Sequence, residues 1–424
     1  MQPQESFPDG ATISKIDSVD VVELARKYGT PTFVYDAETI LQRVARLKQF
    51  DVVRYAQKAN SNLAILDLLR RQGVLVDAVS AGEIMRANAA GYEFAGDPPP
   101  LVYTADLFDR DALDLVTKFG VHVNLGSPDM IGQFGERNPG KKITLRINPG
   151  FGHGHSQKTN TGGPQSKHGI WHEQLGEVLK ECHRHRLVVS GLHMHIGSGT
   201  DFEHLSQVCS AMRVCALKTG RTIDSISAGG GLPTPYRSGD QPLDIARYYA
   251  LWDELRKHLE SEFNHPIRLE LEPGRYPVAE SGYLISEIRA VKNMGSNLFY
   301  LVDAGFNNLA RPILYGAYHP MAIAFANGEK SATLQSVIVG GPLCESGDIF
   351  TQTEGGTVVQ RELPQANVGD LLVIGCAGAY GAVMSSNYNS KPMAAEVLIK
   401  SGRDHLIRPR QSLANLYESE LIPH

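Results

Sequence analysis

Short apolar runs alternate with longer amphipathic stretches from about residue 31 to residue 276. The runs, rich in Val, Ile, Leu and Tyr, are at 52–57, 74–79, 100–104, 120–125, 142–147, 187–196, 225–228 and 267–271. Between them, apolar residues recur every three or four positions. This spacing predicts helices at 62–72, 81–91, 106–119, 172–185, 201–219 and 243–262. Eight strands that each lead into a helix or loop predict a parallel, TIM-like (β/α)8 barrel, with an open doubly wound sheet as the alternative.

The pattern changes near residue 280. Strand-like segments separated by turn signals such as NMGSN and KSGR lie at 283–293, 298–303, 334–340, 357–363, 370–375 and 395–408. They predict a C-terminal antiparallel β domain. We therefore expect a barrel domain over residues 31–280 and a β domain over residues 281–424, with residues 1–30 packing on the β domain. In such a barrel, polar residues that directly follow a strand are the candidates for chemistry.

Composition limits the kinds of partner that the protein is expected to bind and the cellular location that is expected for it. The 424 residues carry a net charge of -5 without a run of Lys or Arg, which argues against nucleic-acid binding. No run of 18 apolar residues predicts a membrane span, and the polar start MQPQESFPDG is unlike a signal peptide. We expect no disulfides and a reducing, cytoplasmic location, because the cysteines are odd in number and lack metal-ligand spacing. They are Cys182, Cys209, Cys215, Cys344 and Cys376.

A lysine ends the first strong strand. Lys58, in the segment YAQKAN, follows the apolar run at 52–57. We expect it in the barrel mouth among apolar neighbours, where burial favours the uncharged amine that an imine-forming lysine needs. Taken alone, the position is more typical of a solvated lysine at a strand end.

Two histidines and a serine follow a later strand, in the segment GLHMHIGSG. Residues two apart on a strand share a face, so His193 and His195 can both reach the barrel mouth. One interpretation is a metal pair, for which His153 and His155 are available as further ligands. The other is an aromatic ring stacked on a flat cofactor, with the Ser198 hydroxyl at a phosphate.

Glycine-rich segments end the last two strands. In AGGGL, the backbone N–H groups of Gly230 and Gly231 can approach an anion closely, although a tight turn explains the glycines equally well. In the segment EPGR, Glu272 suits pairing with a protonated pyridine nitrogen, and Gly274 can add an amide to a phosphate site. The alternative for this segment is a surface turn, which Pro-Gly forms readily.

Two polar loops follow strands of the predicted β domain, GPLCESGD at 341–348 and GAYGAVMSSNYN at 378–389. Free cysteines are usually inert and buried. A cysteine beside an acid on an exposed loop, as with Cys344 and Glu345, favours a reactive role instead.

Together these motifs resemble the alanine-racemase-type, or fold type III, pyridoxal-phosphate enzymes, and within them the diaminopimelate decarboxylase branch. The resemblance runs from PTFVY at 31–35 to about Glu418. It is carried by AxKAN, HxGS, GGG, EPGR, GPxCExGD and GAYG in this order. The loop GHGHSQKTNTGG and the segment DAGFNN are similar to the diaminopimelate branch in particular.

The resemblance implies pyridoxal 5'-phosphate as the cofactor. It implies that Lys58 forms the Schiff base, that His195 stacks on the ring while His193 is structural, and that Glu272 pairs with the pyridine nitrogen. Tyr380 is implied to contact both cofactor and substrate. The implied phosphate cradle consists of Ser198, Gly230, Gly231, Gly274 and Arg275.

The implied reaction is the decarboxylation of meso-2,6-diaminopimelate to L-lysine and CO2, the last step of lysine biosynthesis. By resemblance, Arg275, Arg311 and Tyr315 bind the distal carboxylate. Glu345 contacts the distal amine, and Cys344 donates a proton to Cα. The last two residues enter the neighbouring subunit's site in the family, so a homodimer with shared active sites is implied.

Two positions depart from the family pattern. Cys376 stands where relatives often carry a polar residue, and His168 replaces a common aromatic residue. Three alternatives remain open: a decarboxylase of this fold acting on another amino acid, including a carrier-bound one; a metal-dependent barrel hydrolase built on His193 and His195; and a non-enzymatic pyridoxal-phosphate-binding barrel protein.

Overall fold

The computed structural model describes residues 7–152, 161–197, 202–326 and 331–423. Its strands in chain order are β1 Lys15–Ile16, β2 Val19–Asp20, β3 Thr32–Asp36, β4 Val52–Ala56, β5 Leu75–Ala78, β6 Leu101–Ala105, β7 His122–Leu125, β8 Lys142–Asn148, β9 Ile170–Trp171, β10 Val188–Met194, β11 Ser225–Ser227, β12 Arg268–Leu271, β13 Gly282–Met294, β14 Asn297–Val302, β15 Met321–Ala324, β16 Leu334–Gly340, β17 Arg361–Pro364, β18 Leu371–Ile374, β19 Ala395–Lys400 and β20 Arg403–Arg408. Its helices are α1 Val21–Tyr28, α2 Ala37–Ala45, α3 Leu63–Arg70, α4 Ala81–Ala89, α5 Arg110–Phe119, α6 Pro128–Arg137, α7 Leu175–Arg184, α8 Phe202–Thr219, α9 Ile245–Phe263, α10 Arg275–Val278 and α11 Arg311–Tyr315.

The chain forms two compact units. The barrel unit comprises Leu41–Thr234 and Pro242–Tyr276. The β unit comprises the described residues up to Ile40, the segment Pro235–Gln241 and the described residues from Pro277 onward. Within the described ranges, no helix combines the length and apolar character that a membrane crossing needs.

In the described part of the barrel unit, eight parallel strands form a closed barrel in the order β4, β5, β6, β7, β8, β10, β11, β12, and β12 pairs back with β4. The short strand β9 adds a parallel partner to β8. The predicted barrel is confirmed, and each predicted strand lies within two residues of the observed one at both ends.

Side-chain caps determine where several barrel helices begin. Four helices are each directly preceded by a capping residue, whose side chain accepts a hydrogen bond from a backbone N–H in the first turn: Asn62, Ser80, Asp109 and Asp244. The helix predicted at 106–119 begins later, at Arg110, because the Asp109 carboxylate accepts the Ala112 N–H at 2.7 Å and caps the helix there.

The barrel interior is polar. A cavity of about 290 Å³ at the amino-terminal ends of the strands is lined in part by Arg54, Asn124, Thr144, Ser225, Ser227 and Glu270. These side chains are joined across strands: Arg54 donates to Glu270 at 3.1 Å, and Asn124 donates to the Thr104 hydroxyl at 3.3 Å. Other residues of the same strands are apolar and fully buried, among them Val123, Leu145 and Leu269, and helices pack against the strands. Barrels of this type are more often filled by branched apolar side chains.

A long sheet forms the β unit. Its strand order is β17, β16, β14, β13, β3, β19, β20, and β18 pairs with both β13 and β15. The pairings are antiparallel except β14 with β16 and β3 with β19, which are parallel. The core contains Val34, Ile285, Val373, Val397 and Ile399, all with no exposed surface.

The unit boundaries differ from those expected. The sequence assigned residues 31–40 to the barrel, but β3 pairs with β13 and β19 and so belongs to the β unit. The segment Pro235–Gln241 also belongs to the β unit, and its C-terminal part begins at Pro277 rather than at residue 281. Hydrophobic periodicity identifies a strand but does not indicate which sheet it joins.

Candidate active site

Lys58 lies in a single 3₁₀ turn, Gln57–Ala59, directly after β4. Gln57 and Ala59 are buried and anchor this turn. Gly274 packs against it, since a Cβ at Gly274 would lie 3.3 Å from the Ala56 carbonyl oxygen and 3.4 Å from Ala59 Cβ. Lys58 itself is exposed. The expected burial of this lysine among apolar neighbours is therefore wrong.

Acids lie within electrostatic range of Lys58. Burial raises the pKa of Asp77, at the end of β5, well above its usual value; the charge of Glu272 raises it further, while Thr104 and Lys58 act in the opposite direction. Desolvation also raises the pKa of Glu83, which Lys58 partly offsets. The sequence reasoning missed both acids. The available signal was an aspartate within the otherwise apolar run at 74–79.

Close backbone packing places the three-glycine loop beside His195. A Cβ at Gly231 would lie 2.2 Å from the Gly197 carbonyl oxygen and 3.1 Å from His195 Cε1. A Cβ at Gly230 would lie 2.5 Å from the Glu272 carbonyl oxygen. No larger residue fits either position without displacing backbone, so the glycines allow the loop to lie directly against the imidazole.

The His195 imidazole is neutral at physiological pH. Burial lowers its pKa well below the usual value, and the positive charges of Arg146 and Lys58 lower it further. A neutral, partly buried ring at a strand end offers a flat face without competing charge.

Glu272, directly after β12, is a buried ionised carboxylate. His193 Nε2 lies 2.9 Å from one carboxylate oxygen, and the Ser227 hydroxyl donates to the other at 3.3 Å. Burial is the largest single influence and raises the pKa of Glu272, but the charge and hydrogen bond of His193 together with the charges of Arg54 and Arg146 outweigh it, so that the pKa falls to about 2. The sequence reasoning treated His193 as structural, whereas the structure connects it to Glu272. Its position two residues before His195, on the same strand face, was the signal.

The barrel-unit residues fit a flat, anionic cofactor such as pyridoxal phosphate. The N–H groups of Gly230 and Gly231 have no hydrogen-bond partner within the described ranges, and their missing side chains leave these amides approachable. Ionised Glu272 suits a protonated ring nitrogen. Arg275 begins α10 immediately after Gly274 and is partly exposed. The predicted phosphate contact Ser198 lies outside the described residues.

In the β unit, the predicted substrate residues lie near α11 and after β18. Arg311 begins α11 and is 7% exposed, and Tyr315 ends the helix, partly buried. Tyr380 and Cys376 both have φ in the left-handed region, at 56° and 52°. Non-glycine residues rarely adopt this conformation, and it concentrates at functional sites.

Cys344 and Glu345 are exposed on one loop of the β unit. Buried Asp348 organises this loop by accepting the backbone N–H groups of Phe306 and Leu343, both at 2.8 Å. The Cys344 N–H donates to the Asn389 side chain at 2.8 Å. The thiol and the carboxylate are therefore presented outward on a braced loop.

The two positions that depart from the family pattern have different surroundings. His168 Nδ1 lies 2.5 Å from the Asp106 carboxylate, which also accepts the Gly169 N–H at 2.8 Å. Cys376 is buried, and its thiol lies 3.9 Å from the Pro235 carbonyl oxygen.

The structure thus forms two separate groups of candidate residues. The barrel unit carries Lys58, His195, Gly230, Gly231, Glu272, Gly274 and Arg275 at the carboxyl ends of its strands. The β unit carries Arg311, Tyr315, Cys344, Glu345 and Tyr380. Among the described side chains, no three of His, Cys, Asp or Glu type are grouped as a metal site.

Comparison with known proteins identifies the class. Residues 37–279 match the family model for the pyridoxal-binding domain of pyridoxal-dependent decarboxylases. The chain is a member of this family of pyridoxal-dependent carboxy-lyases, and it carries the family's barrel.

Full-length relatives narrow the family. The chain is 54% identical over 409 residues to diaminopimelate decarboxylase from Streptomyces coelicolor, covering 96% of this chain and 93% of that one. It is 51% identical over 415 residues to the enzyme of that name from Escherichia coli K12, covering 97% and 99%. The chain belongs to the diaminopimelate decarboxylase family, as the motifs indicated.

Solved structures agree in fold. A crystal structure of a diaminopimelate decarboxylase matches with a TM-score of 0.92 and 52% identity, covering 95% of this chain and 96% of that chain. The Helicobacter pylori enzyme complexed with L-lysine matches with a TM-score of 0.82 and 28% identity, covering 94% and 98%.

Proposed function

We propose that this protein decarboxylates meso-2,6-diaminopimelate to L-lysine and CO2 with pyridoxal 5'-phosphate as its cofactor. The observation that carries the proposal is the 51–54% identity to diaminopimelate decarboxylases over nearly the full chain. The arrangement at the carboxyl ends of the barrel strands supports it, because an amine, an ionised acid, a neutral imidazole and open backbone amides lie in one unit.

Lys58, His195, Ser198, Gly230, Gly231, Glu272, Gly274, Arg275 and Tyr380 hold the cofactor in this proposal, and Lys58 is the covalent attachment. Bound pyridoxal phosphate supplies an electron sink for the electrons of the broken bond between Cα and its carboxylate. Glu272 keeps the ring nitrogen protonated, because its carboxylate is ionised and held by His193 and Ser227. His195 excludes water from one face of the ring without adding a charge.

The substrate's second carboxylate distinguishes diaminopimelate from lysine or ornithine. Arg275, Arg311 and Tyr315 bind it, since guanidinium groups present forked donors that match a carboxylate. A site built for that carboxylate disfavours substrates that lack it, because its donors are then left unpaired. Glu345 contacts the distal amine.

Loss of CO2 requires one proton at Cα, and Cys344 delivers it in this proposal. Cys344 and Glu345 are exposed on their loop, so they are available to a second copy of the chain. The active form is accordingly a homodimer in which each subunit supplies this loop to its partner's site.

A panel of amino acids with CO2 detection tests the proposal. Wild-type protein is expected to release CO2 from diaminopimelate, and Lys58→Ala is expected to lose the near-visible absorption of the cofactor together with at least a thousandfold of turnover, about 4 kcal/mol of transition-state stabilisation. Lys48→Ala, which changes an exposed lysine of the same unit, is the control and should behave as wild type. CO2 release from a different amino acid alone would show a decarboxylase with another substrate. Undiminished turnover by Lys58→Ala would remove the central assignment.

A further inference from the structure

A buried histidine holds the guanidinium of Arg311. Arg311 Nη1 lies 2.8 Å from His319 Nε2, and the two residues are only 7% and 1% exposed. An arginine has donors and no acceptor, so its N–H must donate and the His319 nitrogen must accept. His319 is therefore neutral and carries no hydrogen on Nε2.

The backbone fixes this tautomer of His319. Nδ1 lies 3.0 Å from the Gly375 carbonyl oxygen, which can only accept a hydrogen bond. The hydrogen of the imidazole consequently sits on Nδ1 and points at Gly375. The hydrogen bond to one side of the ring thus determines the acceptor on the other side, as is common for histidines that position a neighbouring group.

An aromatic ring provides a second contact to the same guanidinium. The central carbon of the Arg311 guanidinium lies 4.8 Å from the centre of the Tyr236 ring, within the range of a cation–π interaction. The Tyr236 and His319 rings meet edge to face at 5.5 Å and 80°. The two rings therefore restrict the orientation of the guanidinium in different directions.

The same imidazole also joins two segments that carry proposed substrate residues. Gly375 immediately precedes the segment from Cys376 to Tyr380. Cys376 and Tyr380, the two ends of this segment, both have positive φ. A displacement of His319 would therefore affect the orientation of Arg311 and the start of the segment that ends in Tyr380.

We propose that His319 is a positioning residue for Arg311, with Tyr236 as its partner, and that this pair sets the affinity for the substrate's second carboxylate. The inference rests on the proposed function, in which Arg311 binds that carboxylate. Neither residue touches the reacting atoms; they act by holding the guanidinium in the orientation that the carboxylate needs.

Two isosteric variants separate the roles of the two ring nitrogens. The amide of His319→Gln reaches the position of Nε2 and keeps an acceptor for Arg311, whereas the amide of His319→Asn reaches only the position of Nδ1 and keeps the donor to Gly375. We expect the KM for diaminopimelate to rise about ten- to hundredfold in His319→Asn, the loss of one hydrogen bond to a charged group, and much less in His319→Gln. The value of kcat and the cofactor absorption should change little in His319→Asn, which keeps the hydrogen bond to Gly375.

Competitive inhibition by 1,5-diaminopentane, which has two amines and no carboxylate, separates the positioning role from a general structural defect. A general defect would raise the inhibition constant of this diamine, whereas a misplaced Arg311 would not. This constant should therefore be unchanged in His319→Asn. Tyr236→Leu should raise the KM severalfold, and Tyr236→Phe, which keeps the ring, should not.

The outcomes are distinguishable. If wild-type protein does not decarboxylate diaminopimelate, the proposed function fails, whatever the variants do. If wild type is active and His319→Asn keeps its KM, or loses affinity equally for the diacid and the diamine, the positioning role of His319 is refuted while the proposed function stands. If His319→Asn does not fold, the comparison of Tyr236→Leu with Tyr236→Phe decides, and equal KM values in these two refute the role of the pair.

Discussion

The interior of the barrel and the core of the β unit are built from opposite kinds of side chain. In the barrel, Arg54 and Glu270 form a buried ion pair, and Glu272 is held by His193 and Ser227. In the β unit, the core around Ile285 and Val373 is aliphatic and fully buried.

The difference shows where the chain accepts unfavourable burial. Charged groups lose hydration when they are buried, so each must be matched by partners of fixed geometry, and removing one partner leaves the other uncompensated. Apolar groups need only close packing. The polar interior of the barrel lies below the residues at the carboxyl ends of its strands, which are proposed to hold the cofactor. The apolar core belongs to the strands that carry the loops of the β unit.

Arg54→Ala should produce the largest loss of stability. It leaves Glu270 buried without its partner, for which we expect about 3–5 kcal/mol lower free energy of unfolding in urea. Arg137→Ala is the control, because Arg137 pairs with Asp114 on the surface and should cost less than about 1 kcal/mol. Replacing both partners, as Arg54→Met with Glu270→Leu, should recover most of the loss. Equal effects of Arg54→Ala and Arg137→Ala would mean that the barrel interior is not held by its charges.

Ile285→Ala should have a somewhat smaller effect in the β unit. The substitution removes buried methyl groups from β13 and leaves a cavity, for which we expect about 2–4 kcal/mol in the same urea experiment. Val291→Ala, an exposed position on the same strand, should stay within about 0.5 kcal/mol. A large effect of Val291→Ala would show that strand pairing, rather than core packing, dominates this unit.

The acid dependence of stability should show the smallest effect when it is compared over a single pH unit. The folded-state pKa of Glu272, about 2, lies below its ordinary value of 4.5, so its ionised form stabilises the fold above pH 4.5. This contribution is lost as the pH falls from 4.5 toward 2, with a slope of up to about 1.4 kcal/mol per pH unit for one proton. Glu272→Gln should flatten that slope, and Glu203→Gln, an exposed control, should not. Parallel pH curves for wild type and Glu272→Gln would contradict an ionised, partnered Glu272.

The order of strands and helices could be predicted from periodicity because each barrel strand is a short apolar run and several of the helices that follow begin at a side-chain cap. Helix α6 was not predicted, since Gly132 and Gly135 interrupt its pattern of apolar residues. Strand β15, with the sequence MAIA, follows a proline without turn signals of its own and was also missed. The sheet that β3 joins depends on pairing with β13 and β19, which are distant in sequence and leave no local signal.

For the candidate site, motifs identified the residues that follow strands, such as Lys58 and Glu272. They did not identify Asp77 or the hydrogen bond between His193 and Glu272, because these depend on which strands are neighbours across the closed barrel. They likewise did not indicate the bond between His319 and Arg311, since two residues eight positions apart meet only through a particular turn. Local pattern thus reveals candidate chemistry, and tertiary neighbours supply its partners.

The placement of β3 has a consequence for how the chain matures during translation. One partner strand, β19, begins about 360 residues after β3, so at about 5–20 residues per second the ribosome adds it roughly 20–70 s later. The barrel strands emerge during this interval, while β3 still lacks both of the strands that pair with it, β13 and β19. A nascent chain that stalls before residue 395 would therefore expose an unpaired β-strand edge, a template for aggregation and a natural target for a chaperone.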